Sequence, residues 1–336
     1  MDRVAASATP VRVLSIDGGG IRGIIPATVL AELERRAHRP ICRLFDLIAG
    51  TSTGGILALG LVKPDGVGNP AYTAADLMQL YEQQGPTIFA PPLWLKLPVL
   101  GAIVSLFRPK YPARNIDRVL ERYFGEARLS QAITPVLITS YELERRDPWL
   151  FRSERAKWEP DRDFPMRAVA RATSAAPTYF APLGLPAPAP TPAYGLVDGG
   201  VYANDPALCA YVEAHTLHPT ATEFLVVSIG TGQTASPIHY RAAQRWGLAR
   251  WARPLLSVVF DGVSDTVDYQ LGQLLRPLPD GRRQLYRFQA ALPPTEDAMD
   301  DASPRHVDAL KRVAHRIVAE QDDALTALAR ALPRSR

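Results

Sequence analysis

The apolar positions of the chain fall into short runs that end in glycine-rich loops, each followed by a stretch with helical spacing. Val11 to Ile16 is β-branched and apolar, which predicts a strand, and it runs into Asp17-Gly18-Gly19-Gly20-Ile21-Arg22-Gly23. A helix is expected next, with Pro26 in its first turn and Val29, Leu30 and Leu33 on one face. A second run, Leu44 to Ala49, enters Gly50-Thr51-Ser52-Thr53-Gly54-Gly55, and Ile56 to Val62 leaves it as a second apolar helix. Strand, glycine loop and helix, repeated in sequence, is the rhythm of parallel strands covered by helices.

Farther along, the spacing predicts helices over Thr73 to Gln84, with Thr73 as N-cap, and over Ala113 to Phe124. Val136 to Thr139 and Trp149 to Phe151 read as strands, and Met166 to Ala176 as a helix stopped by Pro177. Pro182 to Pro192 reads as a proline-rich surface loop, after which Leu196-Val197 enters Asp198-Gly199-Gly200. A helix from Ala207 and a buried strand Phe224 to Ile229, ending in Gly230-Thr231-Gly232, follow. The remainder reads as mostly helical, with one strand at Gln284 to Phe288 and a single amphipathic helix from Pro304 to Leu332. The expected fold is α/β with a largely parallel central sheet. Residues 11–235 form its core, and 236–336 a mostly helical C-terminal part of the same domain.

Composition narrows the function. With 47% hydrophobic and 21% charged residues, the chain reads as a soluble globular enzyme. A net charge of +4 is too mild for a nucleic-acid footprint, so no nucleic acid polymer is expected as partner. Cys42 and Cys209 stand far apart without metal-ligand spacing and read as reduced thiols, and no metal or cofactor is implied. Residues 1–10 lack an apolar signal region and no run reaches ~18 apolar residues, which predicts a cytoplasmic protein without a membrane span. The stretch from Trp94 to Phe107, with Trp94, Leu95 and Leu97 followed by Arg108 and Lys110, suits either docking on an anionic bilayer or packing as a core helix or lid. Arg276, Arg282, Arg283 and Arg287 read either as a solvated charged face or as a site for an anionic regulator.

The chemistry centres on Ser52. Glycines flanking a serine between strand and helix make the G-x-S-x-G elbow, which holds a hydroxyl clear of the backbone at the positive end of a helix. Gly18, Gly19 and Gly20 are the candidate oxyanion hole, since consecutive glycines can turn several N–H groups toward one oxygen. Gly18, Gly20 and Gly23 also satisfy G-x-G-x-x-G, so a non-enzymatic nucleotide-binding module stays open as the alternative. Against it, Asp17 precedes the first glycine and no ribose-binding acid ends the second strand. The base is either a late histidine completing a triad, with His215 and His218 following Asp198, or Asp198 itself.

Five blocks occur in order: Asp17 to Gly23, Gly50 to Gly54, Ala172-Thr173-Ser174-Ala175-Ala176-Pro177-Thr178-Tyr179-Phe180, Asp198-Gly199-Gly200, and Ser228 to Gly232. Together they resemble the patatin-like phospholipases, a family that includes the calcium-independent phospholipases A2, and the likeness spans roughly residues 11 to 232. The resemblance implies a three-layer α/β/α fold and a Ser-Asp dyad without a catalytic histidine. Ser52 would be the nucleophile, Asp198 the base and Gly18 to Gly20 the oxyanion hole, supported by Asp17, Arg22, Gly23, Gly50, Gly54, Gly199 and Gly200. It implies hydrolysis of fatty acyl esters without a metal, and transient contact with a phospholipid membrane surface. Bacterial members of the family include effectors switched on by cyclic nucleotides in anti-phage defence, a context in which a cyclic nucleotide activator would be the further partner.

Overall fold

The computed structural model describes residues 9–92, 107–187, 193–234 and 237–332, with backbone alone at 248, 249, 252, 253 and 256. The strands begin with β1 (Val11–Ile16), β2 (Leu47–Gly50), β3 (Val136–Glu142), β4 (Asp147–Arg152) and β5 (Leu183–Pro186). β6 (Ala193–Asp198), β7 (Phe224–Ile229), β8 (Gln233–Thr234), β9 (Leu285–Phe288) and β10 (Ala291–Leu292) complete the set. The main helices are α1 (Ile24–Ala37), α2 (Thr53–Val62), α3 (Ala74–Ile88), α4 (Ala113–Phe124) and α5 (Met166–Thr173), then α6 (Ala207–Leu217), α7 (Leu248–Leu274), α8 (Pro304–Glu320) and α9 (Asp322–Ala331).

Alternation along the strands builds three layers. Leu14, Ile16, Ile48, Ile138 and Val227 join one core with α1, α2, α3 and α8. Val13, Leu47, Ala49, Leu137 and Val226 point the other way, onto Ala207, Ala210 and Leu271 of α6 and α7. The sheet runs β5-β6-β3-β2-β1-β7-β9, with β4 also on β3. The pairs β3–β2, β2–β1, β1–β7 and β7–β9 are parallel, and the pairs involving β4, β5 and β6 are antiparallel. The largely parallel sheet expected from the sequence is therefore present, with antiparallel strands confined to one side.

Three local expectations change. The stretch read as a proline-rich loop contains β5, paired to β6 from Leu183↔Leu196 to Pro186↔Ala193. It is an edge strand, where a proline at its end removes no ladder bond that a neighbour needs. The last helix is two, broken at Gln321, and Arg36 of α1 ties the second one down through Asp322 and Thr326. α3 continues through Pro86 to Ile88, one turn beyond the expected end, and Thr73 caps it in a reciprocal box with Asp76.

An arginine from the C-terminal half clamps the residue that opens the first glycine loop. From β9, Arg287 donates to both Asp17 carboxylate oxygens at 3.0 and 2.7 Å, to Ser228 at 2.7 Å and to Asp268 of α7 at 3.1 Å. Asp205 lies 3.4 Å from the same guanidinium and also accepts bonds from Ser15, Ser228 and the Ala207 amide. Burial pushes the Asp17 carboxyl above the usual carboxylate range, and the Arg287 charge pulls against that shift. The arginine read as part of a solvated or regulator-binding face is therefore an internal clamp. Of its companions, Arg282 pairs with Glu223 and Asp280, Arg276 bonds Gln273, and Arg283 lies over Tyr286.

Arg287→Ala leaves the buried Asp17 and Asp205 carboxyls, and the partly exposed Asp268, without their cation, and is expected to cost about 3–5 kcal/mol at neutral pH. Stranded carboxyls have raised folded-state pKa values, so their penalty is absent below the unfolded value and grows as pH rises. Urea titrations at pH 5 and pH 7.5 should show the deficit shrinking at the lower pH; an equal deficit at both would contradict the electrostatic account.

Candidate active site

The site is assembled where two strands end against a third. β4 occupies one edge of β3 from Leu137 to Glu142, so β2 and β6 must share the other. β2 takes Val136 to Ile138 in parallel, ending at Gly50↔Ile138, and β6 takes Ser140 to Glu142 antiparallel, ending at Asp198↔Ser140. The C-terminal ends of β2 and β6 thus approach each other along one edge. Ser52 follows β2 by two residues and Asp198 closes β6, which brings together residues far apart in sequence.

Ser52 has φ 54° and ψ −121°, a conformation closed to most side chains, and sits at the N-terminal end of α2. Three consecutive residues are tied to different elements. Thr51 bonds Thr139 of β3 and the Ala203 carbonyl, each at 2.6 Å, while the Ser52 amide donates to Thr173 of α5 at 2.8 Å. The Thr53 hydroxyl donates to the Tyr81 hydroxyl of α3 at 2.6 Å. Behind the elbow every residue of α2 is buried, as its unbroken apolar run requires. A side chain at Gly54 would overlap the Ile16 carbonyl oxygen at 2.1 Å, so the close packing of α2 on β1 needs glycine there.

Asp198 is buried, with 2% of its surface exposed. Its carboxylate accepts the Gly200 amide at 2.8 Å and lines the same cavity as Ser52. Burial pushes its pKa up to about 7, and the Ser52 hydroxyl and the Gly200 amide restrain the rise. Gly199 and Gly200 begin the short helical turn that carries the chain to Asn204.

The glycine loop lies opposite. The Gly18 amide is spent on the Asn204 carbonyl at 3.0 Å, and the Gly18 carbonyl accepts the Thr231 hydroxyl at 2.6 Å. Gly19 and Gly20 line the cavity with Ser52 and Asp198, and their amides have no acceptor among the described residues. Gly20 has φ +62°, and a Cβ there would strike the Met299 carbonyl at 2.1 Å. Two donors, not three, thus remain for an oxyanion, and Asp17 and Gly23 flank them as anchor and turn end. Arg22 is buried, its Nε lacks a partner among the described residues, and Asp261 and Asp297 attract its charge.

From the serine the cavity continues between Ile56, Ile88, Phe89, Ile116 and Phe180, an apolar wall supplied by α2, α3, α4 and the segment after α5. No histidine lines it among the described residues. His215 instead packs against the Phe224 and Tyr211 rings at 4.0 and 4.7 Å, on the far layer. Trp94, Leu95 and Leu97, expected at a lipid surface, lie outside the described residues. The sequence reading assigned no role to Thr139, Thr173, Asn204 and Thr231, whose partners are 88 to 213 positions away along the chain. Among the described residues no group of side chains suits a metal ion, and no helix is long and apolar enough to cross a membrane.

Comparison with known proteins bears on the whole assembly. The family model "Patatin-like phospholipase" matches residues 14–211. Patatin-like protein 4 of Arabidopsis thaliana is 32% identical over 336 residues, covering 92% of this chain and 83% of that protein. The likeness therefore runs well past residue 232, where the short motifs stop. A Solanum tuberosum relative called "Probable inactive patatin-3-Kuras 1" is also 32% identical, covering 92% of this chain and 86% of that one. The human GIVD cytosolic phospholipase A2 structure overlaps at a TM-score of 0.46 and 13% identity, covering 100% of this chain and 62% of that one. On the family match and the extent of these similarities, the chain belongs to the patatin-like phospholipase family.

Proposed function

We propose that the chain is a serine lipid acyl hydrolase acting as a phospholipase A, with Ser52 and Asp198 as a dyad. The observation that carries this reading is a strained elbow serine sharing one cavity with a buried carboxylate whose pKa burial pushes up to about 7. Asp198 takes the proton as Ser52 Oγ attacks the ester carbonyl, and the new oxyanion is received by the Gly19 and Gly20 amides. Collapse expels the alcohol, which takes the proton back from Asp198 and leaves as the lysolipid. Water then attacks the acyl-enzyme, giving its proton to Asp198. The departing serine oxygen recovers that proton as the fatty acid is released. The apolar wall from Ile56 to Phe180 supports an acyl chain as the group held there.

The nucleotide-module alternative has less support. The Gly18 amide, which a phosphate-binding loop would offer, is already bonded, and Asp17 is held inward by Arg287 rather than directed at a ligand. A fluorophosphonate probe separates the two readings. It should label Ser52 in the wild type and leave Ser52→Ala unlabelled and inactive; an unlabelled wild type would overturn the proposal.

The dyad also fixes a pH dependence. A base must be ionised, so kcat/KM on a soluble ester should rise tenfold per pH unit below about 7 and level off above it. The same raised pKa means that ionising Asp198 in the folded state costs stability as pH climbs from its unfolded value, ~4, to its folded one. Asp198→Asn should therefore lower activity by roughly 10³-fold or more, yet melt no lower than the wild type at pH 8. Alanine at His215 and His218 should leave turnover within about twofold; loss of activity in a folded His variant would contradict a dyad.

Thr173→Val removes the acceptor of the Ser52 amide without changing the cavity lining. It should lower kcat by about 10- to 100-fold with KM little changed, because it loosens the nucleophile rather than the substrate. A change confined to KM would assign Thr173 to binding instead.

A further inference from the structure

Between Glu223 and Asp261 the chain carries no acidic residue, although acids make up about a tenth of it. The same stretch holds Arg241, Arg245, Arg250 and Arg253 among Tyr240, Trp246 and Trp251. α7 changes character midway. Its second half buries Ser264, Val267 and Leu271 against the sheet and aims Asp268 at Arg287. Its first half places Trp251, Leu255 and Val258 at i, i+4 and i+7, a core-like stripe, yet Leu255 is 50% exposed and Val258 45%. Just upstream Tyr240 is 75% exposed, and the Trp246 and Trp251 rings meet edge-on at 5.4 Å.

The charges on this face are unspent. Arg241, Arg245 and Arg250 are exposed and form no ion pair with any described residue. A groove borders it, lined by Trp246, Val258 and Phe260 together with Arg108 and Lys110. Phe260, Tyr179 and Met299 border both that groove and the serine cavity, so the face is continuous with the route to Ser52. The acids of the groove, Asp261 and Asp297, act on the buried Arg22, and Lys110 pairs with Asp300.

We propose that the face from Ile238 to Val258 docks on an anionic lipid bilayer. Its tryptophans and Leu255 enter the headgroup boundary, and its arginines meet lipid phosphates. This rests on the hydrolase reading only in supplying the reason for docking. Aromatic rings with one wet edge, exposed aliphatic side chains and unpaired arginines without a neighbouring acid are the chemistry an anionic interface recognises. A protein partner fits less well, because a specific polar partner would need acids as well as arginines to fix its register.

The test uses the full chain and vesicles of phosphatidylcholine with or without about 30 mol% phosphatidylglycerol. The wild type should cosediment with the anionic vesicles and far less with the neutral ones, and added salt should release it. Arg241→Glu with Arg245→Glu should weaken binding by about 30-fold or more, near fivefold for each arginine lost. Tyr240→Asp with Leu255→Asp should weaken it by at least about tenfold. Both double variants should hydrolyse a soluble short-chain ester within about twofold of the wild type, which also reports that they fold. Equal sedimentation of wild type and variants, or equal binding to neutral and anionic vesicles, would overturn the docking face. A chain that binds anionic vesicles as described but turns over no ester would keep the docking face and sink the hydrolase reading.

Discussion

The backbone at Ser52 is the constraint on which the rest of the site depends. A non-glycine residue at φ 54°, ψ −121° costs on the order of 1–3 kcal/mol and persists only where its surroundings over-determine it. Here they do. Thr51, Ser52 and Thr53 are each bonded to a different element, β3, α5 and α3 in turn, and each buried hydrogen bond is worth about 1 kcal/mol. Released from those ties, the serine would relax to an ordinary turn and its hydroxyl would leave the carboxylate. The elbow is therefore less a local motif than a junction of three helices and a strand.

The second half of the pair arrives through sheet topology. A parallel sheet would continue along the whole of β3, yet β2 stops at Ile138 and leaves the rest of that edge free. An antiparallel β6 fills it, and its last residue is the one that meets Ser52. The switch from parallel to antiparallel pairing along one edge of β3 is what creates the gap into which Asp198 projects. The same position buries the carboxyl, so one feature of the topology accounts both for its place in the cavity with the serine and for its raised pKa.

The sequence made legible what is local. Glycines beside a serine, apolar runs on either side and the order of the five blocks identify the elbow, the glycine loop and the aspartate, and with them the parallel core. What it concealed is non-local. Arg287 lies 270 positions from Asp17, and nothing around it separates a buried clamp from a solvated arginine. Nor does the glycine run reveal that the Gly18 amide is committed to Asn204, which reduces three candidate donors to two. β5 was hidden by its prolines, which signal a loop in isolation and are harmless on an edge. The break at Gln321 was hidden because the apolar spacing continues across it, while a tertiary tie from Arg36 decides where the second helix starts.

In the proposed dyad an aspartate stands where a histidine is usual in a triad, and the disposition of charge suits it to that place. An imidazole has an unperturbed pKa near ~6.5, whereas a carboxyl at ~4 is too weak a base for a serine hydroxyl. Burial closes that difference, but any cation close to Asp198 would reopen it by favouring the ionised form. The influences on Asp198 are burial, the Ser52 hydroxyl and the Gly200 amide, with no cation among them. Yet a buried arginine sits just behind the glycine loop. Its charge is met by Asp17, Asp205 and Asp268, so the loop gains a rigid anchor while the pocket beyond it is spared a net positive field. Three acids on one arginine look excessive as a structural tie. They cancel the charge of the tie behind the glycine loop, which the proposed dyad requires of any cation near its base.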